Sequence, residues 1–196
     1  MTKLHNAAQA GNLAEVKRLL NAGANINSKA IGENRNEATP LIVAALNGKL
    51  NVVRELLKRG AKVNIKSNQG KATALHEASG AGHLNIVKEL LAHKASFNTR
   101  DFMGRTPLHA AVACRQPNVV RALVKAGAAP NTENYSFQAK RYPAYNSTHN
   151  VLFRESFFNP KMTKLLRNAL TTPVTFHQLA MRQTGVRPRS RSSRPN

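Results

Sequence analysis

Seven histidines and one cysteine are the side chains best suited to chemistry in this chain of 196 residues. Imidazole can ligate a metal or carry protons near neutral pH, and a thiolate can act as a nucleophile. The spacing argues for neither. His5, His76 and His109 each stand fourth in a phrase: Thr2-Lys3-Leu4-His5, Thr73-Ala74-Leu75-His76 and Thr106-Pro107-Leu108-His109. Residues that recur with such phrases lie in separate structural units, so their rings cannot converge tetrahedrally on one ion. At this position a ring is expected to hydrogen-bond backbone and turn groups between units. His83 falls in a turn and His93 at a helix end. Cys114 has no neighbour that would lower its pKa, although Arg115 adjoins it, and is expected as a small, part-buried side chain. There is no Gly-rich phosphate loop, Gly-x-Ser-x-Gly elbow or paired-Cys motif. The chain therefore reads as a non-enzyme, with no catalytic, cofactor-binding or metal site.

The elements that carry these histidines repeat. Thr39-Pro40-Leu41-Ile42 supplies a fourth phrase, and the four starts are 37, 34 and 33 residues apart. Repeats of this length are single supersecondary units that bury their apolar faces against neighbouring copies. After each start come small pairs, Ala7-Ala8, Ala44-Ala45, Ala78-Ser79 and Ala110-Ala111, which keep a first helix thin. Turns follow at Gly11-Asn12, Gly48-Lys49 and Gly82-His83, where glycine reaches positive φ cheaply. A second helix then carries an apolar stripe: Val16, Leu19, Leu20; Val52, Val53, Leu56, Leu57; Ile86, Val87, Leu90, Leu91; Val119, Val120, Leu123, Val124. Each stripe stops at Gly23-Ala24, Gly60-Ala61, Lys94-Ala95 or Gly127-Ala128, and an extended finger leads on.

Composition sets the bounds. Apolar residues make up 41%, aromatic residues 5%, and Trp is absent, so Ala, Leu and Val must build the core. No run approaches the roughly 20 apolar residues of a membrane-spanning helix. The start at Met1-Thr2-Lys3-Leu4-His5 enters a copy at once, which predicts no leader peptide, and one cysteine suits a reducing compartment. A soluble cytoplasmic or nuclear monomer is expected. The net charge is +21: residues 1–131 hold 19 Lys/Arg against 7 Asp/Glu, and residues 132–196 hold 11 against 2. That excess favours an acidic protein, nucleic acid or an anionic surface without choosing among them. Lys17, Arg18, Arg54, Lys58, Arg59, Lys88, Arg121 and Lys125 fall mainly on outer faces of second helices, which reads as solvated surface. Neither aromatic interleaving nor a recognition helix marks a nucleic-acid face.

Thr-Pro-Leu-His starts, the Gly-His turn and Leu-Leu-x-x-Gly-Ala ends, in that order, resemble the ankyrin-repeat family through residues 1–131. The resemblance implies an all-α solenoid of helix-turn-helix units with β-hairpin fingers. Its copies fall at about 1–31, 32–66, 67–100 and 101–131. It also implies a protein-binding module whose first helices line a concave groove. Inward positions are then Asn6, Gln9, Val43, Leu46, Asn47, Glu77, Ala81, Ala110, Ala113 and Cys114, and finger tips add Arg35, Asn36, Asn68, Gln69, Lys71, Phe102, Met103 and Arg105. Phe102 and Met103 stand out because the matching finger positions are polar. They either form an exposed anchor for a partner or pack on the neighbouring finger. Copy four replaces the Gly-His turn with Arg115-Gln116-Pro117-Asn118, which predicts a reshaped turn.

Residues 132–170 read as a degenerate fifth repeat or a C-terminal cap rich in aromatics, with an amphipathic helix over Lys161 to Leu170. Residues 171–186 read as a terminal helix. Within it Pro173, Thr175, Phe176 and Leu179 resemble the start of a SOCS box, with Ala180 in place of the family's Cys. That resemblance implies contact with elongin B–C in a cullin-type ubiquitin ligase, through Pro173, Phe176, Leu179 and Ala180. The alternative is a helix packed on the cap. Residues 187–196, Arg- and Ser-rich without an apolar side chain, read as a disordered basic tail.

Overall fold

The computed structural model describes residues 2–31 and 37–128. The expected fifth repeat or cap, the terminal helix and the basic tail lie outside the described residues, as do Arg35 and Asn36. Eight helices stand among the described residues, paired copy by copy. The pairs are α1 (Lys3–Ala10) with α2 (Leu13–Asn21), α3 (Pro40–Leu46) with α4 (Leu50–Lys58), α5 (Ala74–Gly80) with α6 (Leu84–Ala92), and α7 (Pro107–Ala113) with α8 (Pro117–Lys125). Between α2 and α3, strands β1 (Ala30–Ile31) and β2 (Glu37–Ala38) pair antiparallel, Ala30 opposite Ala38 and Ile31 opposite Glu37. First helices pack on first helices through the series α1, α3, α5, α7, and second helices on second helices. This is the helix-turn-helix solenoid that the resemblance implies, but among the described residues only the first finger pairs as strands.

Local chemistry sets each boundary. Thr2, Thr39, Thr73 and Thr106 are the N-caps of the first helices, all in extended backbone conformation. Pro40 and Pro107 take the first helical turn, where a missing N–H costs nothing. In α5 and α7 the cap is reciprocal. The Thr73 backbone N–H donates to Nδ1 of His76 at 3.2 Å, and Thr106 donates to His109 at 3.1 Å. Histidine thus plays the part that Glu or Gln plays in a capping box. With Nδ1 accepting, Nε2 carries the proton and can reach outward. His5 donates to the carbonyls of Ser28 and Ala38 at 3.1 and 2.9 Å, and His76 donates to that of Arg105 at 3.0 Å. Each ring ties its own helix to the finger that follows. In copy two Ile42 replaces the histidine and joins the core instead.

Buried Leu41, Leu56, Leu75, Leu90, Leu108 and Leu123 fill the layer between the two helix series. Small residues line the seam of the inner helices: Ala8, Ala44, Ala45, Ala74, Ala78 and Ala111 have no exposed surface. In copy four the buried pair is Ala111 and Val112, with Ala110 half-buried, so the pair sits one residue later than its sequence suggested. The helix turns are equally close. A Cβ on Gly48 would lie 2.8 Å from the ring of His83, whose Nε2 lies 3.1 Å from the Leu46 carbonyl oxygen. Gly48 is therefore needed both for its φ of 72° and for the neighbour lying over it.

Copy four does not reshape this turn. Arg115 adopts φ 56° in the glycine's place. Its N–H donates to Val112 at 3.0 Å and that of Gln116 to Ala111 at 2.8 Å, the pattern that Gly82 and His83 make one copy earlier. The helix ends on both sides over-determine the loop, so a non-glycine residue is held in the left-handed region. Lys94 does the same at φ 62°, where the other copies have Gly23, Gly60 and Gly127.

Two predictions follow from these departures. Ser79 is fully buried and its hydroxyl finds no hydrogen-bond partner among the described residues, where Ala8 and Ala45 stand in copies one and two. Ser79→Ala should stabilise the stack by about 1 kcal/mol, and Lys94→Gly by a similar amount. A rise of the thermal midpoint in each single variant is the expected reading, and a fall in either contradicts the local account.

The histidines make stability depend on pH. Burial lowers the pKa of His5 and His76, and lowers that of His109 to about 4. Between those values and the unfolded value near 6.5, the unfolded chain binds more protons. Stability should therefore fall as pH drops from about 6.5 towards 4. Glu77, whose pKa burial raises, acts in the opposite sense as one group against three. His109 alone should contribute about 2 kcal/mol of loss between pH 7 and pH 5. Denaturant titrations at both values, beside His109→Ile (the residue type of copy two), should show a smaller pH-dependent loss in the variant. Equal losses would remove His109 from the account.

Candidate protein-binding surface

The positions expected to face inward lie along the first helices and at their C-terminal ends. Leu46 is 47% exposed, and Asn47, Ala81, Ala113 and Cys114 are also exposed along this face. Asn6 is exposed, while Gln9, Glu77 and Ala110 are half-buried. Val43 is not available to a partner: at 6% exposure it belongs to the core. The Asn47 amide is turned back, donating to the Val43 carbonyl at 2.8 Å. Cys114 is exposed where a part-buried thiol was expected. Half burial raises the pKa of Glu77, and the charge of Arg105 opposes the rise.

The fingers are stitched to one another. Asn68 donates its backbone N–H to the Glu37 carbonyl at 3.0 Å, and its side chain joins Lys29 at 2.6 Å and the Glu37 carboxylate. Phe102 N–H donates to Gly70 at 3.0 Å, and Lys66 reaches the Arg100 carbonyl at 3.0 Å. Asn68, expected to face a partner, is thus engaged within the finger row. Lys71 and Gln69 are exposed, Lys71 with φ 49°.

The last described finger, residues 101–105, is organised by a side chain that sequence reasoning missed. Asp101 is 9% exposed. Its Oδ1 accepts from the backbone N–H of Met103 at 2.9 Å and of Arg105 at 2.8 Å, and its Oδ2 accepts from Nε of Arg105 at 2.9 Å. Arg100 closes the loop from outside, donating to the Gly104 carbonyl at 2.9 Å. A carboxylate that satisfies two loop N–H groups and a guanidinium fixes the tip. Arg105 is therefore part of the finger's frame, and reversing its charge would break the frame as well as any contact. The signal was present as Asp101 and Arg105 flanking Gly104. Held at the tip of this frame, Phe102 is 49% exposed, while Met103 is half-buried. The two readings, an exposed anchor or packing on the neighbouring finger, thus divide between the two residues: Phe102 stands out and Met103 is half covered.

On the opposite, outer face the lysines and arginines are solvated, as expected, and several are paired. Arg18 pairs with Glu15 at 2.7 Å and Arg59 with Glu55 at 2.6 Å within helices. Arg54 pairs with Glu89 at 2.9 Å between helices, and Lys17 approaches Glu55 at 4.0 Å. Among the described residues no group of three or more His, Cys, Asp and Glu could hold a metal ion, and no helix is long and apolar enough to cross a membrane. Pro173, Phe176, Leu179 and Ala180 lie outside the described residues.

Comparison with known proteins agrees with this geometry. The profile of ankyrin repeats in three copies matches residues 1–67 and again 66–134. Palmitoyltransferase AKR1 of Eremothecium gossypii is 41% identical over 66 residues, which is 34% of this chain and 9% of that protein. The chain thus spans about a tenth of the length of that relative. Repeated Thr-capped inner helices, paired outer helices, stitched fingers and a family match over more than half of the residues lead to one conclusion: the chain is a member of the ankyrin-repeat family, built as a scaffold for protein interaction.

Proposed function

We propose that this chain works without catalysis of its own, as an adaptor that binds a protein partner through the groove and the finger tips. Phe102 carries the reading. A large apolar side chain half exposed on a tip that a buried carboxylate holds in place is available before binding and needs little ordering on contact. Leu46, exposed on the first-helix face, offers a second apolar point, and half-buried Glu77 places a carboxyl within the field of Arg105. Asn47, Lys71, Ala113 and Cys114 line the same route. The likeness to a palmitoyltransferase extends over 66 residues, about two repeats, and supports shared scaffold without moving a transferase activity to this chain.

The test is affinity selection from cell extract followed by dissociation constants with the purified partner. Phe102→Ala should weaken binding by about tenfold or more while leaving the thermal midpoint unchanged. Arg105→Ala should lower both, because it opens the Asp101 frame. Binding unaffected by Phe102→Ala would remove the finger from the interface.

A further inference from the structure

The ion pairs of the outer face form a ladder that stops one rung early. Lys17 approaches Glu55 at 4.0 Å, and Arg54 pairs with Glu89 at 2.9 Å. In each case a cation of one outer helix faces a carboxylate one repeat plus one residue later. The same step from Lys88 arrives at Ala122, since the matching positions of α4, α6 and α8 are Glu55, Glu89 and Ala122. Lys88 therefore has no carboxylate across the seam. Arg121 and Lys125, also exposed, add two more cations, and none of the three has an ion pair among the described residues.

A cleft opens where the rung is missing. It lies between α6 and α8, floored by half-buried Leu84, Leu91, Ala122 and Ala126 and edged by Lys88, Arg121 and Lys125. Its volume of about 530 Å³ is in the range of clefts that accept several side chains. An apolar floor with cations on its edges calls for a segment with aliphatic side chains on one face and carboxylates beside them. Residues 132–196 are a poor match, carrying 11 Lys/Arg against 2 Asp/Glu.

We infer that the cleft between α6 and α8 is a second docking site, which takes an acidic amphipathic segment of a protein partner and lets one of its carboxylates replace the missing rung. The site faces away from the groove and fingers, so its occupant does not compete with a ligand held at Phe102. It is independent of the reading above: the ladder and the cleft stand whether or not the fingers bind anything.

The decisive variant restores the rung. Ala122→Glu gives α8 the carboxylate that α4 and α6 carry, so it should fold normally, pair with Lys88 and fill the cleft. Arg121→Gln with Lys125→Gln removes cations without adding bulk. The probe is a short synthetic helix with leucines on one face and flanking glutamates, beside the same peptide with glutamine for glutamate. Both are titrated into the full chain at physiological ionic strength, with amide shifts followed in α6 and α8. The glutamate peptide should bind and shift those helices. Ala122→Glu should weaken it by about tenfold with an unchanged or raised thermal midpoint, and the glutamine peptide should bind more weakly as well. Equal affinity for wild type and Ala122→Glu would overturn the proposal. So would shifts confined to the arginine-rich residues 187–194. A single-stranded oligonucleotide that displaced the peptide from α6 and α8 and bound more tightly would make the cleft a phosphate-binding surface, and would overturn it too.

Discussion

The close approach of the inner helices is the constraint on which the rest of this molecule depends. A unit of two short helices cannot bury enough apolar surface alone, so each copy must press its first helix against the next. Alanines at the seam permit that approach, and Ala8, Ala44, Ala45, Ala74, Ala78 and Ala111 are all sealed by it. Backbone groups brought so near need partners, because an unpaired buried donor or acceptor costs about 1–3 kcal/mol. His5 and His76 answer that need, with Nδ1 engaged at the cap and Nε2 reaching into the next finger. The neutral imidazole required for this arrangement is what ties the stack's stability to pH.

Tight inner packing also explains where variation is tolerated. The outer helices touch one another less extensively than the inner ones. Their contacts run through long charged side chains whose heads remain in water. The finger tips lie at the other extreme of the copy, where the chain must turn without support from a core. Two solutions appear there. Ser67 accepts the Ala72 N–H at 3.2 Å while its own N–H donates to the Ala72 carbonyl at 2.8 Å. Asp101 gathers two N–H groups and a guanidinium. Either way the tip is fixed from within, and the outward residue can change freely. Phe102 exploits that freedom, which is why a large apolar residue can stand half exposed without disturbing the fold.

Most of the architecture was legible in the sequence because its determinants are local or periodic. Thr caps, Pro at the first helical turn, Gly turns and apolar stripes each act within a few residues, and the period supplies the packing. What could not be read depended on geometry across copies. Arg105 looked like a partner-facing finger-tip residue because its carboxylate stands four residues back, and only the folded turn brings the two together. Val43 looked like a groove residue because of its helical position, yet it is buried in the core. Arg115 looked like a broken turn, since propensity disfavours a non-glycine residue at positive φ. The surrounding hydrogen bonds outweigh that preference. Ala122 carried no signal by itself, because an alanine in an outer helix is unremarkable until its equivalents in α4 and α6 are seen to be glutamates.

The asymmetry between the two faces follows from how little an exposed ion pair contributes. A surface pair adds about 0–1 kcal/mol, whereas truncating a large buried residue in the seam costs about 2–5 kcal/mol. An alanine at position 122 therefore costs the stack little stability, while it leaves the local field positive. The same exchange at an inner position such as Ala78 would bury a charge against another helix and disrupt the copy. Outer rungs are thus sites where charge can be altered without refolding the scaffold. The gap opposite Lys88 lies beside an open apolar seam, so an incoming carboxylate would act from a less hydrated setting than an ordinary surface pair, and its interaction with Lys88 would be correspondingly stronger.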